Sequence, residues 1–187
     1  MDKLKNRKIA ILATHGFEQS ELEAPRDALR EAGATVHVIA PDSGEIRGWK
    51  GKDWGQTVAV DRTLEDADAA EYDALVLPGG VVNPDLLRVN PAALSFIKAV
   101  WSAGKPIGAI CHAPWLLVET GIAQHRKLTS YTSIRTDVEN AGGKWEDSAV
   151  VTDQGLVTSR NPDDLPAFCD KLIEEIAEGV HHARAAA

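Results

Sequence analysis

The sequence predicts a doubly wound α/β sandwich, in which helices cover both faces of a mostly parallel sheet. Short apolar runs of strand length alternate with longer segments of helical periodicity along most of the chain. The chain opens with a strand at 8–13, a helix from an N-cap at Ser20 to about Ala32, and a strand at 35–40, and this β-α-β order favours parallel strands. A length of 187 residues with 44% hydrophobic residues fits one domain, with loose termini at about 1–7 and 180–187.

One stretch interrupts this alternation. Residues 44–61 contain four glycines and two tryptophans, and their polarity alternates along 56–60, which predicts a small hairpin at the sheet edge. The remaining patterns complete the sandwich. They predict a short helix or turn at 64–71, strands at 73–77, 106–110 and 127–130, helices at 90–103, 111–119, 133–140 and 165–178, and paired strands at 144–153 and 155–159.

Composition argues against several classes of protein. A formal net charge of −8 disfavours a nucleic-acid-binding surface. The polar N-terminus is followed by no long apolar run, which disfavours a signal peptide or a membrane span. The two cysteines lie far apart without zinc-type spacing, so we expect no disulfide framework and favour a reducing cytoplasm.

No cofactor and no metal are expected. The glycines that follow the first strand lack a G-x-G-x-x-G pattern. His15 lies near Glu18 and Glu21, but these ligands have no defined geometry. A loop histidine of this kind more often binds substrate or lines the rim of a pocket. His181 and His182 have no evident third ligand nearby.

Cys111 stands where a buried strand gives way to a helix, and His112 follows it. This arrangement resembles a nucleophile elbow, the tight strand-to-helix turn that raises a reactive side chain above a sheet. Because the unpaired N–H groups of a helix N-terminus lower a thiol pKa, we predict a depressed pKa for Cys111. It should be alkylated before Cys169, which the helical spacing of 165–178 places in the core. The alternative from this stretch alone is a buried, inert cysteine at a strand end.

Three loops follow the carboxyl ends of predicted strands. They span His15 to Glu21, Pro78 to Asp85, and Cys111-His112. Ligands of doubly wound sheets bind at this edge, and Gly79 and Gly80 let the backbone turn tightly there and expose N–H groups. The convergence of independent features on one edge favours the nucleophile interpretation of Cys111.

An ordered set of short motifs runs almost from end to end of the chain. It comprises Phe17-Glu18 with Glu21 and Pro25, Leu75-Val76-Leu77-Pro78-Gly79-Gly80, Gly104-Lys105-Pro106-Ile107, Ile110-Cys111-His112, Thr129-Ser130-Tyr131, Asp137, Ala141-Gly142, Ser159-Arg160 and Asp164-Leu165. This set resembles the ThiJ/PfpI superfamily and, within it, the PfpI-type intracellular cysteine peptidases. The combination of Tyr131 with His112 resembles the pattern found in the PfpI-like branch of that superfamily.

The resemblance implies a flavodoxin-like fold with Cys111 as the nucleophile. It implies that Glu21 hydrogen-bonds the thiol, and a carboxyl group so close to a thiolate should be protonated because like charges repel. It also implies that His112 is the base and that an acidic residue of a neighbouring subunit orients it in a homodimer or hexamer. Asp85 is the nearest match to that residue. The backbone N–H groups of Gly80 and His112 would form an oxyanion hole. The other residues expected to line the substrate site are Gly79, His15, Glu18 and Tyr131.

The resemblance further implies a cytoplasmic stress-response hydrolase. Family members have been assigned peptidase, protein deglycase and glyoxalase III-like activities, which share attack by a thiolate on a carbonyl or hemithioacetal carbon. The substrates are then small carbonyl compounds, which we favour slightly, or peptides and proteins. The alternative is a non-enzymatic redox sensor or chaperone that acts through oxidation of Cys111.

Two other classes are disfavoured. A class I glutamine amidotransferase also carries a cysteine elbow, but it needs a downstream histidine with a glutamate two residues on. His125, His181 and His182 lack that glutamate. A DNA-binding regulator needs an added helix-turn-helix, for which this chain is too short, and a less acidic surface.

Overall fold

A seven-stranded sheet lies at the centre of the structure, a computed structural model that describes residues 3–181. The strands are β1 (Lys8–Leu12), β2 (Thr35–Ala40), β3 (Glu45–Lys50), β4 (Asp53–Ala59), β5 (Arg62–Thr63), β6 (Ala74–Leu77), β7 (Ile107–Ile110), β8 (Lys127–Leu128), β9 (Lys144–Trp145), β10 (Val151–Asp153) and β11 (Leu156–Ser159). The central strand order is β10-β11-β7-β6-β1-β2-β5, and each neighbouring pair is parallel except β10 with β11. The remaining strands form two small sheets, antiparallel β3-β4 and parallel β8-β9.

Helices cover both faces of the central sheet. Within the described residues they are α1 (Gln19–Glu31), α2 (Val82–Leu87), α3 (Pro91–Ser102), α4 (Pro114–Glu119), α5 (Arg135–Asn140) and α6 (Leu165–Glu178). Alternate side chains of β1 enter two different cores, since a strand turns successive residues to opposite faces. Ile9 and Ile11 pack with α1 and α6, whereas Ala10 and Leu12 pack with α3 and α4. None of the helices in the described part of the chain is long and apolar enough to cross a membrane.

The predicted fold class is confirmed, with local differences. The hairpin β3-β4 forms, but it is a separate sheet and does not extend the sheet edge. Its backbone pairs with the loop after β1, where Trp49 N donates to Phe17 O at 2.7 Å and Gly16 N donates to Arg47 O at 2.8 Å. The strand pairing predicted for 144–153 and 155–159 also differs in the structure. β9 pairs with β8, and β10 and β11 form the hairpin. Helix α2 falls where the sequence predicted only a loop.

The N-terminal segment is packed more tightly than predicted. Leu4 is fully buried, and its N–H donates to Ala32 O at 2.9 Å. Arg7 forms an ion pair with Asp73 at 3.2 Å. Residues 4–7 are therefore held against the body of the domain and are not loose. Residues 1–2 and 182–187 lie outside the described part of the chain.

Candidate active site

Three adjacent strands bring the candidate residues together. β7, β6 and β1 lie side by side and parallel, so their carboxyl ends meet at one edge of the sheet. The loop after β1 leads to Glu21, the loop after β6 begins at Pro78, and the turn after β7 begins at Cys111. The predicted convergence of these three loops is confirmed.

Cys111 occupies a strained turn. Its φ is +65°, a left-handed conformation that costs energy for any residue with a side chain. Two backbone hydrogen bonds hold it there, since Cys111 N donates to Ser159 O at 3.0 Å and Cys111 O accepts from Tyr131 N at 2.7 Å. Ala113 is already helical, and α4 begins at Pro114. The thiol is thus fixed above the end of β7, and the residue is only 6% exposed.

Glu21 lies fully buried in the first turn of α1, next to the thiol. Its Oε2 accepts a hydrogen bond from Gly79 N at 3.0 Å. Its Oε1 is buried without a hydrogen bond from the described residues, and the carboxyl group is close enough to Cys111 to interact with its thiol. Gly79 permits this approach, because a Cβ there would lie 2.6 Å from Cys111 Cβ and 2.5 Å from Glu21 Oε2. The sequence predicts Ser20 as the N-cap of α1, but in the structure the N-cap is Glu18.

The carboxyl group and the thiol share an environment that opposes negative charge. Burial, and then the charge of Glu18, raise the pKa of Glu21 to about 8. Burial, followed by the charge of Glu21, raises the pKa of Cys111, while the N–H groups of Gly80 and His112 lower it. The predicted depression of the Cys111 pKa is therefore wrong for this chain, because desolvation outweighs the N–H groups. The two groups are not both ionised at neutral pH, and a proton on Glu21 removes one cause of the raised thiol pKa.

Both ring nitrogens of His112 have partners within the chain. Nδ1 lies 3.1 Å from Cys111 Sγ, and Nε2 lies 3.1 Å from Ser133 Oγ. The ring stacks on Tyr131, with centroids 4.6 Å apart, and meets the edge of Trp115 at 5.3 Å. Burial lowers the pKa of His112, which favours the neutral imidazole. Sequence reasoning missed Trp115 and Ser133. The position of Trp115 three residues after His112 was a usable signal, whereas nothing in the sequence marked Ser133.

The loop Pro78-Gly79-Gly80 brings backbone N–H groups close to Glu21 and to the Cys111 thiol. Gly80 has φ +76°, and a Cβ there would lie 2.4 Å from Gly16 O. Its N–H and that of His112 interact with the Cys111 sulfur and lower the pKa of the thiol. The N–H of Gly79 is taken by Glu21, so it is not available to a substrate.

Asn83 is a further residue that sequence reasoning missed. It is fully buried, and its Oδ1 accepts from Thr14 N at 2.8 Å. Its Nδ2 donates to Pro78 O at 2.9 Å and to Gly79 O at 3.1 Å. This one side chain therefore ties the end of β1 to the Pro-Gly-Gly loop.

The other predicted residues surround the site less closely. His15 is exposed, and its Nδ1 accepts from Arg47 N at 3.0 Å, so it links the first loop to the hairpin. Glu18 accepts from Ser20 Oγ at 3.3 Å and acts on the site through its charge. Asp85 is exposed on α2, and its side chain makes no hydrogen bond or ion pair with residues 3–181. Within one chain, Asp85 is not joined to His112.

Two groups lie away from this edge. The sequence suggested no third ligand near His181, but donor atoms of Glu175, Glu178 and His181 lie within 4.8 Å of one another at the end of α6. Two of these groups are paired with each other, since Glu175 Oε2 lies 3.2 Å from His181 Nε2, and Glu175 Oε1 also lies 3.6 Å from Lys171 Nζ. His182 is outside the described residues. Cys169 is buried in the core as predicted, and burial raises its pKa to about 11.

Residues 7–175 match the DJ-1/PfpI family. The chain belongs to the DJ-1/PfpI family. General stress protein 18 of Bacillus subtilis is 45% identical to this family member over 87% of the chain and 93% of the relative. Protein/nucleic acid deglycase 2 of Escherichia coli is 44% identical over 87% and 94% of the two chains. Deglycase PfpI of Pyrococcus furiosus is 39% identical over 89% and 98%.

A solved structure supports the same assignment. A two-domain protein from Anabaena variabilis, with DJ-1/ThiJ/PfpI-like and ferritin-like domains, superposes with a TM-score of 0.87 at 32% identity. The superposition covers 97% of this chain and 50% of that one. The predicted family, the flavodoxin-like fold and a hydrolase of PfpI type are confirmed by these comparisons.

Gly80→Ala tests the packing of the loop in this DJ-1/PfpI family member. Gly121→Ala is the matched control, because Gly121 has nearly the same φ of +78° but open space around its Cα. Both substitutions introduce left-handed strain of ~1–2 kcal/mol. Only Gly80→Ala forces a contact with the Gly16 carbonyl and the Glu18 N–H, so we expect it to cost at least ~2 kcal/mol more in urea unfolding. Equal losses of stability would contradict the packing described for this loop.

Glu21→Gln tests the raised carboxyl pKa. The unfolded chain releases this proton near the ordinary value of 4.5, whereas the folded chain keeps it until about pH 8. The folded state therefore binds more protons in this window, and wild-type stability falls as pH rises through it. The loss is on the order of 4 kcal/mol by pH 8. We expect urea unfolding at pH 5 and pH 8 to show that Glu21→Gln removes this dependence.

The exposed Glu31 at the other end of α1 supplies the control, since Glu31→Gln should keep the wild-type dependence. The described pKa of Glu21 would be contradicted by a Glu21→Gln variant whose stability follows the wild-type pH curve.

Proposed function

We propose that the protein is a cysteine-dependent hydrolase of deglycase type, which acts on adducts of small reactive carbonyl compounds in the cytoplasm. The observation that carries the proposal is the approach of Cys111 Sγ to His112 Nδ1 at 3.1 Å beside the N–H groups of Gly80 and His112. A nucleophile, a base and two oxyanion donors then act on one carbon atom. The names of the Escherichia coli and Pyrococcus furiosus relatives support the choice of deglycase.

The reaction begins with proton transfer within the Cys111–His112 pair. The raised pKa of Cys111 and the lowered pKa of His112 favour a neutral thiol beside a neutral imidazole before substrate binds. As Sγ attacks the carbonyl carbon, the thiol proton moves to Nδ1 and the C–S bond forms while the C=O π bond opens. The negative oxygen accepts hydrogen bonds from the Gly80 and His112 N–H groups. The carbonyl that Sγ attacks is the aldehyde released from the adduct, when the C–N or C–S bond breaks and the carbinol O–H proton passes to the leaving amine or thiol. His112 next moves the hydrogen of the attacked carbon to the neighbouring ketone carbon through an enediol, which oxidises the first carbon to a thioester and reduces the second to an alcohol. Water then hydrolyses the thioester to a 2-hydroxy acid and frees the thiol.

Glu21 supports the sulfur through this step. With a pKa of about 8, the carboxyl group carries a proton at neutral pH and adds no negative charge beside the forming thiolate. Its hydrogen can be donated to sulfur, and Gly79 N holds the other carboxyl oxygen in place. Proton retention by Glu21 therefore lowers the energy needed to charge Cys111.

The burial of the nucleophile favours small substrates. Cys111 is 6% exposed, so an adduct on a side chain or a free metabolite reaches it more easily than a folded polypeptide backbone. The same burial and raised pKa disfavour direct oxidation of the thiol, which needs an accessible thiolate. Hydrolysis is therefore better supported than the redox-sensor alternative.

We also propose a homo-oligomer, a dimer or a hexamer, in which Asp85 acts at the site of a neighbouring subunit. Asp85 is exposed and unpaired within residues 3–181, and large apolar side chains flank it at Val81, Val82, Leu86 and Val89. An exposed apolar patch of this kind favours contact with another protein surface. Symmetric contact would complete every site in the same way.

The enzyme proposal predicts that Cys111→Ser abolishes hydrolysis of a methylglyoxal adduct of N-acetylcysteine or N-acetyllysine. Cys169→Ser is the matched control, because Cys169 is a buried cysteine of α6 that makes no hydrogen bond with the site residues described above. The rate of product release, measured by chromatography, should fall to the uncatalysed rate in Cys111→Ser. It should stay close to the wild-type rate in Cys169→Ser. Full activity in Cys111→Ser would overturn the proposal. Activity of the wild type on peptides but not on the adducts would overturn the deglycase assignment and indicate a peptidase.

The oligomer proposal predicts recovery of activity in mixed subunits. Inactive Cys111→Ser subunits and Asp85→Ala subunits of reduced activity, unfolded together and refolded in equal amounts, should reach about a quarter of wild-type activity in a dimer, since half of the dimers contain one intact site. A mixture of Cys111→Ser with the Cys111→Ser/Asp85→Ala double variant should regain none. A fully active monomer in sedimentation would refute the shared site.

A further inference from the structure

Ser133 occupies the place in which an acidic residue was expected. The resemblance implied that a carboxylate orients His112, yet His112 Nε2 lies 3.1 Å from Ser133 Oγ. The opposite ring nitrogen faces Cys111 Sγ, also at 3.1 Å. Both ring nitrogens of His112 therefore have partners among residues 3–181, and neither partner is a carboxylate.

We infer that Ser133 is the positioning residue that fixes the tautomer of His112, with Nε2–H donating to Ser133 Oγ. This inference rests on the proposed function, in which His112 takes the thiol proton. It adds a neutral hydroxyl group of the same chain to the Cys111–His112 pair.

The proton positions follow from the chemistry of the pair. Neutral imidazole carries one N–H, and the nitrogen without it is the one that can accept a proton. If Nε2 carries the hydrogen, Nδ1 keeps a lone pair directed at the Cys111 thiol. The opposite tautomer would place a hydrogen on Nδ1 and block the transfer. After transfer, the imidazolium still donates from Nε2, so Ser133 Oγ accepts in both protonation states and nothing has to rotate.

The backbone fixes Ser133 relative to the nucleophile. Ser133 lies in a 3-10 turn at Thr132–Ile134, and Ile134 N donates to Tyr131 O at 3.1 Å. Tyr131 N in turn donates to Cys111 O at 2.7 Å. Ile134 is buried, which anchors the turn in the protein. The segment that carries the hydroxyl group is thus hydrogen-bonded to the residue that carries the thiol.

The hydroxyl group also explains how a neighbour can act on His112. Ser133 is exposed, and with Nε2–H donating to its Oγ, its own hydrogen has no acceptor among residues 3–181. A carboxylate from another subunit can accept that hydrogen, which orients the Ser133 lone pair toward Nε2–H. Asp85 of a neighbour would then act through Ser133 and not on the imidazole directly.

The test compares Ser133→Ala, Ser133→Thr and Thr132→Ala. Thr keeps a hydroxyl group on the same carbon, and Thr132 is the matched control on the same exposed turn. Nitrogen-15 NMR of histidine-labelled protein at pH 8 reports which ring nitrogen of His112 carries the hydrogen. Wild type, Ser133→Thr and Thr132→Ala should show hydrogen on Nε2, and Ser133→Ala should show a mixture of tautomers.

Kinetics give a second readout. Ser133→Ala should lower kcat about tenfold, the effect of losing one hydrogen bond, with KM unchanged. The acid limb of its kcat profile should move to lower pH, because the imidazolium loses an acceptor. Ser133→Thr should recover most of the loss.

The outcomes separate this inference from the proposed function. Hydrogen on Nδ1 in wild type, or a Ser133→Ala variant with unchanged tautomer and kcat, would overturn the role of Ser133. A tautomer that depends on Ser133 in a protein whose hydrolysis survives Cys111→Ser would instead support Ser133 as positioning residue and overturn the proposed function.

Discussion

Burial of the Glu21 carboxyl group against the Cys111 thiol is the constraint on which the rest of the site depends. Two acidic groups lie side by side in a buried space, so the free energy is lowest when they hold at most one negative charge between them. In the proposed reaction, the proton that Glu21 keeps lowers the energy needed for sulfur to become negative during attack. The Gly79 N–H fixes the carboxyl group in place, and the Gly80 and His112 N–H groups face the sulfur.

The fold supplies this arrangement through the order of its strands. Because β1, β6 and β7 are neighbours, loops that are far apart in the sequence meet at one edge. Backbone contact between these loops is so close that two glycines are required, and the Asn83 side chain bonds two of the loops to each other. The strain at Cys111, with φ of +65°, is held by hydrogen bonds to segments on either side. The stability of the sheet thus maintains a geometry that the loops alone would not adopt.

Sequence periodicity was enough to predict the sheet, most of the helices and the three converging loops, because buried strands and amphipathic helices leave direct patterns. The sequence also indicated the proximity of Glu21, Gly80 and Cys111 through the loops that carry them. It did not predict the sign of the Cys111 pKa shift, which depends on how deeply the thiol is buried relative to the donors around it. Ser133 was missed because its contact with His112 arises from a turn twenty-one residues later.

The central claim is that Glu21 is protonated at neutral pH. Infrared difference spectroscopy between wild type and Glu21→Gln isolates the carbonyl band of this one carboxylic acid, and its intensity can be followed from pH 4 to pH 9. We predict that the band persists at pH 7 and falls to half its intensity around pH 8, the raised pKa of the buried group. Disappearance of the band near the ordinary glutamate value of 4.5 would contradict the account.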